Sequence, residues 1–203
     1  MNEERRYFVA VTGASGALYA KTLVDRLLEA EPGCELLLSI TENGAVVIAD
    51  ELGVELNLQK PKLHRLFMRP DRLTYYHYLD VAAPPASGTY PVDAMIIVPC
   101  STNTMAKLAS GIADSLITRA ADVMLKEHKR LIVVPRETPL STLQLRNMLR
   151  LAEAGAVVLP AMPALYFSPA SINDLADFIA TKICDQLGIE LGLDTRWWQE
   201  EED

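Results

Sequence analysis

Residues 93–101, "DAMIIVPCS", are apolar at almost every position. A strand with one wet face alternates apolar and polar residues. This one does not, so both of its faces must be covered, as in a parallel sheet flanked by helices. The segments around it repeat the arrangement. "YFVAVT" (7–12), "CELLLSI" (34–40), "RLIVVPRE" (130–137) and "AVVLPA" (156–161) read as further strands. Between them, "ALYAKTLVDRLLEA" (17–30) places Leu18, Thr22, Leu23, Leu27 and Leu28 at helical spacing. Residues 43–52, 104–128, 142–155 and 171–188 also read as helices, the second with a break signal at Gly111. Ser171 stands where a helix is capped, and Gly155 and Gly188 stand where helices stop. Residues 53–91 have weak periodicity. Strand and helix alternate throughout, which predicts one doubly wound α/β domain over residues 1–203 with five or six mostly parallel strands. The 203 residues, 50% hydrophobic, are enough for such a core without staples.

Charge and cysteine usage narrow the function classes. The formal net charge is −8, part of it in the tail "QEEED". General nucleic-acid binding needs a basic stripe, so it is disfavoured, whereas an anionic ligand in a locally positive pocket is not. Cys34, Cys100 and Cys184 are odd in number and widely spaced, with no CxxC or paired-histidine pattern. Neither a disulfide framework nor a zinc site is signalled, and a reducing compartment is expected. "MNEERR" leads straight into a strand, and the apolar stretch 154–168 is interrupted by Pro160 and Pro163. A cytoplasmic protein with no membrane span is therefore expected.

In doubly wound sheets ligands bind beyond the carboxyl ends of the strands. After the first strand comes "TGASG", whose Gly13, Ala14 and Ser15 form a turn into a helix N-terminus able to face an anion. Dehydrogenases use similar letters, yet the GxGxxG spacing is not met, and none of the seven tyrosines has Lys four residues on. The second strand ends in Ser39-Ile40 rather than a carboxylate, with Glu42 just beyond. After the 93–101 strand, Ser101, Thr102, Asn103 and Thr104 put four small polar residues at a helix start, where one suffices for capping. Cys100 has no recognisable histidine–acid partner and reads as a buried filler. Arg119, Asp122 and Lys126 share a helix face. Arg136 and Glu137 follow a central strand, Arg136 placed for a phosphate or a polar ring edge and Glu137 for proton transfer. Tyr166 lies in a proline-bounded loop.

"TGASGA", "AAPPASG", "PCSTNTMAKLASGIADSLITRAADVMLKE", "VPRETPLSTLQLRNMLRLAEAGAVVLPAMPALY" and "DLADFIATKICDQLGI" resemble the UbiX-type flavin prenyltransferases from about residue 7 to 198. The resemblance is weakest over 41–80. It implies a flavodoxin-like or Rossmann-like three-layer sandwich that binds reduced FMN. It implies transfer of a dimethylallyl group from dimethylallyl phosphate to flavin N5 and C6. The product, prenylated FMN, would serve a UbiD-type decarboxylase. It further implies a homododecamer with sites at subunit contacts, and the tail from about 189 to 203 is expected either at such a contact or partly disordered.

By position, the resemblance assigns FMN binding to Gly13, Ala14, Ser15, Ser39, Ser101, Thr102, Asn103, Thr104 and Arg136. Tyr166 and Lys182 would bind the prenyl phosphate, with Trp197 shielding the cation. Ser15, Arg119, Lys126 and Glu137 match active-site positions, and Glu51 matches the family's glutamate after a two-residue shift. Position 182 is often Arg in the family, so Lys here keeps the charge and loses the bidentate fork. The aromatic that can precede "APPASG" is absent, with Val81 and Ala82 in its place. No Asp-Asp pair occurs, so no aspartate-rich magnesium motif is available, which points to a metal-independent reaction on a monophosphate. Lys126, Arg119, Lys182, Ser15 and Tyr166 are the partners available to the departing phosphate. Glu137 is the candidate for proton handling, a role that phosphate can share. Two alternatives remain at this point. One is a cysteine-decarboxylase-type FMN protein, which would need a catalytic histidine from among His64, His77 and His128. The other is a flavin carrier without catalysis.

Overall fold

The computed structural model describes residues 5–193. Its strands are β1 (Arg6–Val11), β2 (Glu35–Ile40), β3 (Leu73–Tyr75), β4 (Ala94–Cys100), β5 (Arg130–Pro135) and β6 (Val157–Val158). They form one sheet in the order β3-β2-β1-β4-β5-β6, and every neighbouring pair is parallel. The helices are α1 (Ala17–Ala30), α2 (Glu42–Leu52), α3 (Thr102–Ala109), α4 (Leu116–Lys126), α5 (Thr142–Glu153) and α6 (Ile172–Leu187).

The apolar run at 93–101 is explained by what covers it. Ile96 and Val98 join Tyr7, Val9 and Val11 in a core shared with α1, α2 and α6. Met95 and Ile97 join Phe8 and Ala10 in a second core shared with α3, α4 and Leu151 of α5. Successive side chains of a strand point to opposite faces, so the central strands must be apolar throughout. The result is three layers. A bidentate pair from Arg26 to Asp177, at 2.8 and 3.0 Å, ties α1 to α6 on one face.

The helix read at 17–30 has those bounds, and the one read at 104–128 is two helices. Between them the chain turns through Gly111 at φ 68°, and Ser115 opens α4 with a capping box to Thr118. Gly188 closes α6 in the left-handed region, at φ 70°. Two strands differ from the sequence reading. β3 lies within the segment without clear periodicity, and β6 spans two residues where six read as strand. Among the described residues, no helix is long and apolar enough to cross a membrane.

The chain builds outward from β1 to β2 and β3, then returns to β4 and builds the other way. The carboxyl ends of β1 and β4 therefore flank a topological switch point, where such sheets open a crevice.

Candidate functional site

Thr12 braces that crevice. It is 1% exposed. Its hydroxyl donates to the Pro99 carbonyl at 2.8 Å and accepts from the Ser101 amide at 2.8 Å. The loop after β1 and the loop after β4 are thereby fixed to each other. Sequence reasoning passed over Thr12, although it opens the "TGASG" stretch. Gly13 is needed for space, since a Cβ there would lie 2.4 Å from Asn43 Cβ at the start of α2.

The opening between these loops is a cleft of about 330 Å³. Gly13, Ser101, Thr102, Asn103 and Thr104 line it, whereas Ala14, Ser15, Ser39 and Arg136 do not. Asn43, Tyr78, Lys107, Ser115 and Thr118 line it too. Lys107 stands one helical turn beyond Asn103, whereas no local pattern marks the other four, which come from segments brought together by the fold. Ser101 caps α3, its hydroxyl accepting from the Thr104 amide at 3.2 Å. Among the described residues, the Thr102 and Asn103 amides at the α3 start make no hydrogen bond. The lining thus combines hydroxyls, amides, the Glu42 carboxylate and Lys107, itself paired with Asp114 at 2.6 Å, and its hydroxyl and amide donors suit a phosphorylated, polar-edged ring system.

Ser39, at the end of β2, is fully buried, and its hydroxyl has no partner. It pairs in register with Ala10 of β1, close to the crevice. A buried hydroxyl without a bond is costly and calls for a ligand or another unpaired group. Cys100 lies beside the loop and is fully buried, and burial raises the pKa of its thiol. That keeps the sulfur protonated and weakly nucleophilic.

On the other side of the β1 loop, Glu51 reaches back from α2. Its carboxylate accepts from the Gly16 amide at 3.0 Å and the Ala17 amide at 2.8 Å. The first donors of α1 are therefore occupied from within the chain, and the helix charge is already balanced. Arg136, after β5, donates to the Ser15 carbonyl at 3.1 Å. Glu137 follows it, half-buried, accepting from the Thr138 amide at 3.0 Å. Ser15, Glu51 and Arg136 thus gather along one edge of the β1 loop, and Glu137 follows Arg136 in the chain.

The remaining positions do not join this group within one chain. Arg119 and Lys126 line a separate cavity of about 520 Å³ with the Ser87–Thr89 loop. α4 runs from Leu116, beside the cleft, back toward the amino end of β5, so Lys126 sits ~15 Å further along the helix. Tyr166 and Lys182 meet at Phe178. The Tyr166 ring stands edge-on at 6.1 Å, and the Lys182 ammonium lies 5.6 Å from the ring centroid. Trp197 lies outside the described residues. None of His64, His77 and His128 lines the cleft, and His77 is engaged by Gln59 and the Leu79 amide.

A doubly wound sheet with a polar cleft at its switch point is an architecture suited to nucleotide-like ligands, and the Flavoprotein family model matches residues 1–184. Flavin prenyltransferase UbiX of Halalkalibacterium halodurans is 46% identical over 96% of this chain and 94% of its own length. The counterpart from Pseudomonas aeruginosa is 40% identical over 98% of this chain and 97% of its own. The crystal structure of AnUbiX (PadA1), in complex with FMN and dimethylallyl pyrophosphate, superposes with a TM-score of 0.87 at 38% identity, covering 98% of this chain and all of that one. A dodecameric FMN-dependent UbiX-like decarboxylase from Escherichia coli O157:H7 gives 0.86 at 35% identity, covering 96% of this chain and 99% of that one. The chain belongs to the Flavoprotein family. Within it, the chain is a member of the UbiX flavin prenyltransferases.

Proposed function

We propose that this protein transfers a dimethylallyl group from dimethylallyl phosphate to reduced FMN, without a metal, and that a UbiD-type decarboxylase uses the prenylated flavin. The observation that carries the reading is the cleft at the β1/β4 switch point, with its unbonded α3 amides and the buried, unpartnered Ser39 hydroxyl. Gly13, Ala14, Ser15, Ser39, Ser101–Thr104 and Arg136 would hold FMN. When bound, reduced FMN supplies the nucleophilic N5 and C6 positions.

The chain's own groups have separable tasks in this reading. Glu51 shapes the Ser15 loop, since its oxygens are committed to backbone amides. Arg136, anchored on the Ser15 carbonyl, orients the ligand beside Glu137, which takes up the proton lost on ring closure. Arg119, Lys126, Tyr166 and Lys182 stabilise the departing phosphate. Lys126 lies too far along α4 to serve its own cleft, and Arg119, although it follows the cleft-lining Thr118, lines the same separate cavity as Lys126, so in this reading the two serve the cleft of another copy in a homo-oligomer. The surface supports association. Leu145 and Leu149, one turn apart on α5, are 51% and 58% exposed, and Leu143 in its first turn is 71% exposed. Apolar clusters of this kind on a monomer mark interaction sites. The double substitution Leu145→Glu/Leu149→Glu is expected to shift the protein to smaller species in size-exclusion chromatography without loss of helical content. Elution at unchanged mass would assign the exposed leucines another purpose.

The activity is tested by incubating the protein anaerobically with reduced FMN and either dimethylallyl phosphate or the diphosphate. The extracted flavin is expected to be heavier by one five-carbon prenyl unit with the monophosphate. Unmodified flavin with both donors, on a protein that retains FMN, would instead mark a carrier.

A further inference from the structure

The "APPASG" stretch ends at Gly88, and nothing assigned so far explains its glycine. Gly88 does not adopt the left-handed backbone that usually calls for one. Space is the reason. A Cβ at this position would lie 2.5 Å from Oε1 of Glu127 and 3.3 Å from Nζ of Lys126. Two oppositely charged head groups are therefore laid over the bare α-carbon of one residue.

Their meeting is itself unusual. Neighbouring residues on a continuing helix point away from each other. Lys126 is the last residue of α4, and Glu127 leaves the helix at φ −90°, ψ 6°. That departure lets the carboxylate return to the ammonium at 2.8 Å. The pKa of the Glu127 carboxyl lies below its ordinary value, chiefly through the hydrogen bond from Lys126. The pair borders the cavity that also contains Ser87, Thr89 and Arg119. A carboxylate beside a lysine meant for phosphate is electrostatically adverse, so its presence requires a compensating task.

We propose that Glu127 is a positioning residue, seated over Gly88, that holds the Lys126 ammonium in place to receive the prenyl phosphate of another copy's site. This rests on the assignment of Lys126 to that phosphate. Lysine is a flexible point charge with much rotamer freedom, and a carboxylate 2.8 Å away lowers the cost of ordering it at the moment of binding.

The two accounts of Glu127 predict opposite signs. If the carboxylate only repels phosphate, Glu127→Gln should lower the KM for dimethylallyl phosphate. If it positions Lys126, Glu127→Gln should lower kcat/KM for dimethylallyl phosphate about 3- to 10-fold, through a raised KM and, because the same ammonium stabilises the departing phosphate, a lowered kcat. Gly88→Ala should act in the same direction, because the added methyl meets only the ends of flexible side chains and displaces them without unfolding the loop. The Kd of inorganic phosphate, measured by calorimetry, should rise in parallel, while the KM for FMN stays unchanged. Lys126→Ala should raise the donor KM more than either, and adding Glu127→Gln to it should change nothing further. A fall or no change in donor KM for Glu127→Gln, or an undiminished effect in the Lys126→Ala background, would overturn the proposal. An unchanged KM for Lys126→Ala alone would instead overturn the assignment of Lys126 to phosphate.

Discussion

Glu137→Gln is expected to lower the rate of prenylated-flavin formation by about 10²- to 10³-fold, the usual size of a lost general acid–base group. FMN uptake, followed by flavin fluorescence, should stay within about 2-fold, because Gln contributes no charge but is nearly isosteric. The substitution is sharp for a structural reason. Oε1 of Glu137 accepts from the Thr138 amide, and the Gln carbonyl can accept the same bond. The loop after β5 keeps its shape, and Arg136 keeps its hold on the Ser15 carbonyl. What disappears is the ability to accept a proton. Undiminished product formation would remove Glu137 from the mechanism and leave the released phosphate as the proton acceptor. Loss of FMN binding would show instead that Glu137 shapes the cleft.

Much of this arrangement was legible in the sequence, for reasons that can be stated residue by residue. α1 was read to its ends because its apolar positions recur at helical spacing and a glycine stands on its N-terminal side. The buried strands were legible because two-sided burial leaves an unbroken apolar run. β3 was not, since three residues at a sheet edge, with Thr74 facing solvent, carry no pattern of their own. The same division holds at the site. Ser101–Thr104 and Arg136–Glu137 follow strong strands and could be found by position alone. Tyr78, Ser115 and Thr118 reach the cleft from across the fold, and no spacing announces them. Glu51 was found through resemblance, yet its bond to the α1 amides is a tertiary fact. The task of Gly88 is equally hidden, because the requirement comes from side chains at the far end of α4.

The separation of Lys126 from the cleft leads to the second large effect, which is recovery of activity between two inactive proteins. Glu137→Gln damages the cleft side of a site. Arg119→Ala/Lys126→Ala damages the cationic side, whose two residues line a cavity separate from the same chain's cleft, Lys126 about 15 Å along α4 from Leu116. If each site joins the cleft of one copy to the cations of another, across a two-fold or a head-to-tail contact alike, the two defects of a hybrid fall on different subunits. Random co-assembly in equal amounts then places an intact cleft against an intact cationic patch in about one site of four, so about a quarter of wild-type activity should return. The parents assayed separately, or mixed without subunit exchange, should stay near their own low rates. Co-expression with two different affinity tags, followed by tandem purification, isolates the hybrids. Hybrids no more active than the mean of the parents would place Arg119 and Lys126 with the cleft of their own chain, or outside the reaction altogether. Recovery near one quarter would make assembly a condition of catalysis. The exposed leucines of α5 would then belong to an interface on which turnover depends, and the Leu145→Glu/Leu149→Glu variant should lose activity together with its oligomeric state.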